Sequence, residues 1–255
     1  MLLAIDIGNT QTVLGCFKEG TIRCVGRIST DQRRTTDESH LLIQSILQSH
    51  GVELTEIEGV ILSSVVPPVT SILSDVARTR LGIEAIVVGV GTRTGLKIKV
   101  ENPREVGADR IVNAIAAFHL TQSATISIDL GTAITFDVID SSGAYLGGAI
   151  APGVNLGLDA LFSGTAKLPR VDLVPPPATV GRNTVQSIQS GIFFGTVAMI
   201  DGMVDRIKAE MQDTEIKVVA TGGNAQIIAE STTSIERVEP DLTLMGLYLI
   251  YERNR

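Results

Sequence analysis

The spacing of apolar positions changes period several times along this chain, and the changes mark its elements. Strand-like runs occupy residues 2–7, 12–18 and 21–29, joined by Gly8-Asn9-Thr10 and Lys18-Glu19-Gly20. After a polar connection at 30–35, helical spacing sets in from Asp37 to His50. Leu41, Leu42, Ile46 and Leu47 are its expected apolar face, and Gly51 its stop. The run at 59–66 reads as a buried strand, and Pro67-Pro68 opens a helix to about Leu81. A short strand at 84–88, a Gly/Thr-rich loop with a brief strand at 96–100, and a helix from Pro103 to about Leu120 follow. Ile111, Ile115 and Phe118 are the expected buried stripe of that helix.

The second half repeats this order. Strands are expected at 124–130, 133–140 and 144–151, and a helix at 154–162. An irregular stretch at 163–183 is stiffened by Pro175-Pro176-Pro177. A long helix at 184–211, a strand at 216–220, a turn at Gly222-Gly223-Asn224, a helix at 225–231, a strand at 235–238 and a helix at 242–251 close the chain. The opening Leu2 to Val13 is echoed by Ile128 to Phe136, with Asp6 matching Asp129, Gly8 matching Gly131 and Thr12 matching Thr135 at an offset of 123 residues. A duplicated α/β architecture is expected, each half a mixed sheet flanked by helices, with domains at 1–118 and 119–255. The ligand cleft is expected between the halves, bridged by the helix at 103–120.

Composition narrows the function classes. A chain of 255 residues, 44% hydrophobic, can bury a sizeable core. A net charge of −7 with no basic run argues against a nucleic acid or an anionic membrane as partner. No unbroken apolar run has transmembrane length, and the N-terminal run ends at Asp6 without a preceding basic segment. A cytoplasmic protein is expected. Cys16 and Cys24 make neither a disulfide framework nor a zinc site. They fall in adjacent expected strands and read as reduced core residues. His40, His50 and His119 show no partner pattern.

Each Asp-x-Gly hairpin joins a carboxylate to a turn of small polar residues. Such a turn lets backbone N–H groups approach a phosphate, and the carboxylate then requires a cation between them. Two ordinary hairpins with Asp and Asn as turn formers are the plainer alternative. No Walker A sequence or protein-kinase catalytic loop is present, and Gly89, Gly91 and Gly95 do not fit a dinucleotide fingerprint. Phosphoryl transfer here would use the hairpins as phosphate cradles, with a base to orient the nucleophile. Asp109-Arg110, preceded by the small pair Gly107-Ala108, falls in the first turns of a helix. It is either that base with its charge partner or an exposed helix-surface pair.

The repeated hairpins resemble those of the acetate and sugar kinase, Hsp70 and actin superfamily, with its duplicated RNase H-like (actin-like ATPase) fold. Within it, Asp6-Ile7-Gly8-Asn9-Thr10, Thr94-Gly95-Leu96-Lys97 and Asn102 to Arg110 resemble the type III pantothenate kinases. So do Ile128 to Ala133, Gly147 to Gly153, Thr221-Gly222-Gly223 and Leu247 to Asn254, so the resemblance spans essentially the whole chain.

The resemblance implies ATP-dependent phosphorylation of pantothenate to 4'-phosphopantothenate, the first step of coenzyme A biosynthesis. It implies Mg2+, a monovalent cation (K+ or NH4+) and a homodimer whose substrate site is completed across the interface. Carried over by position, Asp6, Ile7, Gly8, Asn9, Thr10, Gln11, Thr12 and Val13 would hold the ATP phosphates, with Asp6 reaching the divalent metal through water. Gly107, Ala108, Asp109 and Arg110 would bind pantothenate, with Asp109 as general base. Asp129 would hold the monovalent cation, Thr132 would contact ATP, and Gly222 and Gly223 would lie against adenosine. Thr184 would reach pantothenate in the neighbouring subunit, although Asn183 or Thr184 is equally placed to cap the long helix. Three positions depart from the family pattern: some members carry a Tyr near Val100, Phe194 often aligns with a Tyr, and Asn224 follows the Gly pair where an apolar residue is common. The rival reading is a nucleotide-binding accessory protein of the same family acting in gene expression, without kinase activity.

Overall fold

The computed structural model describes residues 1–255. In chain order the elements are β1 (Leu2–Ile7), β2 (Gln11–Lys18), β3 (Thr21–Ser29), α1 (Thr36–Ser49), β4 (Gly59–Ser64), α2 (Pro67–Val76), β5 (Ile86–Val87), β6 (Lys97–Ile98) and α3 (Ala108–Thr121). There follow β7 (Ala124–Leu130), β8 (Ala133–Ile139), β9 (Ala144–Pro152), α4 (Val154–Ser163), α5 (Thr184–Glu210), β10 (Ile216–Thr221), α6 (Ala225–Ala229), β11 (Arg237–Val238) and α7 (Leu242–Glu252). They form two compact units, one of Met1–Leu96, Asn102–Ala116 and Leu242–Arg255, the other of Lys97–Glu101 and Ala117–Asp241. The division therefore runs through α3, and the C-terminal helix belongs with the N-terminal strands, so it is not a single cut after residue 118.

The first unit carries a sheet in the order β3-β2-β1-β4-β5. β1 is antiparallel to β2 and parallel to β4. A central strand covered on both faces reads as a continuous apolar run. On one face Leu3, Ile5, Ile7, Leu14 and Cys16 pack with Ile43 and Leu47 of α1 and Val69 and Leu73 of α2. On the other, Leu2, Ala4, Phe17 and Ile61 pack with Val112 and Ile115 of α3 and Leu244, Leu247 and Ile250 of α7. Each large aliphatic side chain so buried contributes about 1.5–3 kcal/mol.

Two helices differ from their expected faces. In α1 the buried residues are Ser39, Ile43 and Leu47, whereas Leu41 is 62% and Leu42 37% exposed. Leu41 lies about 200° round the helix from Ile43, so both cannot face the sheet. A capping box starts α1: Glu38 N–H donates to Thr35 Oγ1 at 3.2 Å and Thr35 N–H to Glu38 Oε2 at 2.8 Å. α3 begins at Ala108, because Pro103–Glu105 is a separate 3-10 turn capped by Asn102. Val112 and Ala114 to Ala117 are buried, while Ile111 and Phe118 are only half-buried. Burial on most sides erases the single stripe that helical periodicity predicts.

The second unit repeats the topology, its sheet running β11-β10-β7-β8-β9-β6. β6 is an addition, pairing Lys97 with Ala144 and Ile98 with Tyr145. α5 has the length and apolar composition of a bilayer-crossing helix. Its Phe193, Val197, Ile200 and Val204 instead pack against Ile126, Ile128 and Phe136 of the sheet.

Candidate active site

In the first unit Asp6 lies half-buried near the C-terminal end of β1, opposite Val13 and beside Ser63 of β4. The turn that follows is closed by Gly8 N–H donating to the Gln11 carbonyl at 3.0 Å. Asn9, Thr10 and Gln11 are exposed at its tip, but Thr12 is buried. The Thr12 and Thr30 hydroxyls are 2.9 Å apart, and Thr30 Oγ1 donates to the Gly8 carbonyl at 2.7 Å. Thr12 thus fastens the turn to the end of β3 and its hydroxyl faces inward.

Asp109 is half-buried in the first turn of α3. Its Oδ1 accepts the Arg110 N–H at 2.8 Å, one of the donors that a helix start leaves without an intrahelical partner. A Cβ at Gly107 would stand 2.5 Å from that same oxygen, so the glycine makes room for the carboxylate. Ala108, Ile111, Val112 and Ile115 belong to the cluster that also holds Leu2 and Ala4 of β1. One core therefore supports both the helix that carries Asp109 and the strand that carries Asp6.

In the second unit Asp129 lies half-buried near the end of β7, opposite Thr135 and beside Thr221 of β10. Gly131 N–H closes its turn on the Ala133 carbonyl at 3.1 Å, and Gly153 N–H donates to the Thr132 carbonyl at 3.1 Å. Side chains are excluded at two points here. A Cβ at Gly153 would run into the Gly131 and Thr132 carbonyls. Gly222 has φ +96°, and its Cβ would lie 2.5 Å from Asp129 Oδ1 and 2.7 Å from Leu130 N. Gly223 has open space around it. Asp129, Gly131-Thr132, Gly153 and Gly222-Gly223 thus gather at one end of the sheet. Thr184 is not part of this cluster. It is exposed at the start of α5, and Asn183 is the cap, its side chain accepting the Gln186 N–H at 2.9 Å.

The two hairpins are not superposable residue for residue. Asp6 faces Val13, whereas Asp129 faces Thr135, because the first turn holds one residue more. A one-residue shift moves a strand side chain to the other face, so Thr135 corresponds to Val13 and not to Thr12. Sequence reasoning also missed a support behind Asp129. Asp137 of β8 is fully buried, and it accepts the Tyr145 hydroxyl at 2.8 Å and the Thr135 hydroxyl at 3.2 Å. The available signal was a carboxylate in a strand whose other residues, Thr135 apart, are apolar. Gly153 was missed as a partner of the turn, its signal being Pro152-Gly153 between strand and helix. The oxygen donors of both hairpins suit hard cations, and no group of three or more His, Cys, Asp or Glu side chains could hold a metal alone.

The family model for type III pantothenate kinase matches residues 2–206. The chain is 49% identical over 254 residues to a type III pantothenate kinase of Moorella thermoacetica, covering all of both chains. It is 51% identical over 255 residues to the one of Syntrophotalea carbinolica, again over full length. Among solved structures, a candidate Baf family transcriptional activator from Campylobacter jejuni matches with a TM-score of 0.61 at 18% identity, over 99% of this chain and 98% of that one. The ROK hexokinase of Thermus thermophilus matches with a TM-score of 0.51 at 14% identity, over 100% and 99%. These structural likenesses show the fold alone, the duplicated RNase H-like fold of the actin-like ATPases. The full-length relatives carry the activity, ATP-dependent phosphorylation of pantothenate in coenzyme A biosynthesis. On sequence and fold together, the chain belongs to the type III pantothenate kinase family.

Proposed function

We propose that Asp109 is the general base of this pantothenate kinase, orienting the primary hydroxyl of pantothenate for in-line attack on the ATP γ-phosphoryl group. The observation that carries this reading is the fixed carboxylate at the head of α3. Arg110 N–H holds Oδ1, Gly107 leaves space beside it, and Oδ2 is the oxygen for the hydroxyl proton. Arg110 supplies a guanidinium fork for the pantothenate carboxylate or the transferring phosphoryl group. Gly107 and Ala108 are the small residues that precede this carboxylate. Val100 and Phe194 lack the hydroxyl of the Tyr that some family members carry at or near those positions.

Asp6 to Val13 form the phosphate-binding turn, with the exposed backbone of Asn9, Thr10 and Gln11 at its tip and Thr12 fastening it from beneath. Thr132 binds ATP from the second hairpin. Gly222 and Gly223 receive the adenosine, and the open space at Gly223 suits a flat base. Asp6 faces Mg2+ through water, and Asp129 holds a monovalent cation, K+ or NH4+. With no protein cage for a metal, the donor set suits Mg2+, which keeps its waters and leans on substrate phosphates. When bound, the cations neutralise charge on the phosphates. The enzyme works in the cytoplasm as a homodimer, and Thr184 of the partner subunit completes the pantothenate pocket. Leu146, Ile150, Leu156 and Phe162 offer exposed apolar surface for such an interface.

The Asp109→Asn enzyme is expected to lose about 10²–10⁴-fold in kcat. ATP binding measured by calorimetry should be retained. Turnover near wild type would remove Asp109 from the role.

A further inference from the structure

Cys16 and Cys24 take no part in the kinase chemistry, yet the fold sets them face to face. Cys16 of β2 and Cys24 of β3 are register partners in an antiparallel pair. Directly opposed residues in such pairs have Cα atoms about 4.5–5.5 Å apart. A disulfide spans Cα separations of about 4.4–6.8 Å. Both side chains point to the same side of the sheet, into the core cluster shared with α1, and both are free thiols.

The proximity of the two sulfurs draws the Cys24 thiol down and pushes that of Cys16 up. The two sulfurs are adjacent, and Cys24, on the strand at the sheet edge, is the one reached first. Access is set by topology. β3 is an edge strand, and the register slips between Cys16 and Phe17 with Arg23 as the extra residue. Cys24 is therefore exposed by local opening of a strand paired on one side only.

We propose that Cys16 and Cys24 form a reversible disulfide site, closed by a peroxide and reopened by a dithiol reductant. The Cys24 sulfur attacks one peroxide oxygen and the O–O bond breaks. Hydroxide leaves and is protonated to water, and Cys24 becomes a sulfenic acid. The Cys16 sulfur then attacks the Cys24 sulfur. The S–S bond forms, the S–O bond breaks, and the hydroxyl departs as a second water with the Cys16 proton. The two thiols lose two electrons and the peroxide gains them. Reduction proceeds by thiolate attack on the disulfide and release of both thiols.

The test uses the reduced full-length enzyme, treated with hydrogen peroxide, quenched in acid, alkylated and digested with trypsin. Cleavage after Lys18 and Arg23 separates the cysteines onto peptides 1–18 and 24–27. The expected product is a cross-linked pair of these peptides, within one chain, that dithiothreitol separates. Cys16→Ala keeps the site apolar, and its melting temperature checks that it folds. It should instead accumulate a Cys24 sulfenic acid that dimedone traps. Recovery of both cysteines singly alkylated or singly oxidised from the wild-type enzyme would overturn the proposal, as would linkage only between two chains.

Discussion

Gly222→Ala isolates the geometry that brings the second hairpin together. At φ +96° any L-residue is strained, by about 1–2 kcal/mol. The added methyl would also sit 2.7 Å from Leu130 N and C and 2.5 Å from Asp129 Oδ1. Because Leu130 is backbone in a six-stranded sheet, it yields only with its neighbours, and such overpacking costs about 1–3 kcal/mol. The sum is about 2–5 kcal/mol. A domain stable by about 5–15 kcal/mol would still fold. The displaced groups are Asp129 and the start of the Gly131-Thr132 turn, so kcat and the KM for ATP should worsen in protein that remains folded. Urea denaturation measures the stability change, and steady-state kinetics well below the melting temperature the activity change. Gly223→Ala is the stability control, since nothing lies within 4 Å of its Cβ position and its φ is not positive. Equal stability losses in both variants, or a Gly222→Ala enzyme as stable as wild type, would refute the reasoning.

Two further outcomes follow from the second unit. Tyr145→Phe removes a hydroxyl that donates to the fully buried Asp137, and a lost donor to a buried carboxylate costs about 1–3 kcal/mol in urea unfolding. A shift within error would mean that the carboxylate does not depend on Tyr145. Asp140 governs part of the acid limb of stability. Partial burial pushes its carboxyl up, but the Lys99 ammonium at 2.7 Å, the Ser142 hydroxyl and the Ala144 N–H together hold it at about 2, below its ordinary 3.8. A carboxyl depressed in the folded state adds stability that is fully present above its unfolded pKa and is lost as pH falls through the folded one. Lys99→Ala should therefore lower stability at pH 7 and flatten its fall between about pH 4 and 2. An unchanged acid limb would remove Lys99 from that account.

Much of this protein is written locally. The central strands are covered on both faces and so appear as plain apolar runs, and Gly and Pro punctuate nearly every junction. The candidate site residues, Asp6, Asp109, Asp129 and the Gly222-Gly223 pair, stand in short motifs legible without any contact map. Other features needed the folded chain. Leu41, Leu42, Ile43, Ile46 and Leu47 are all apolar, so several helix faces were available to α1, and only packing against β1 and β2 selects Ile43 and Leu47. The extra residue in the first turn shows only in the register, where it separates Thr12 from Thr135. Gly222 is an ordinary turn residue until parallel pairing of β10 with β7 sets Thr221 beside Asp129 and closes the space on one side. Which residues can form strands, turns and carboxylate-bearing hairpins rests on neighbours a few positions away and so is readable locally. Which of them meet rests on strand order, register and helix phase, and these are set by burial between segments far apart in the chain.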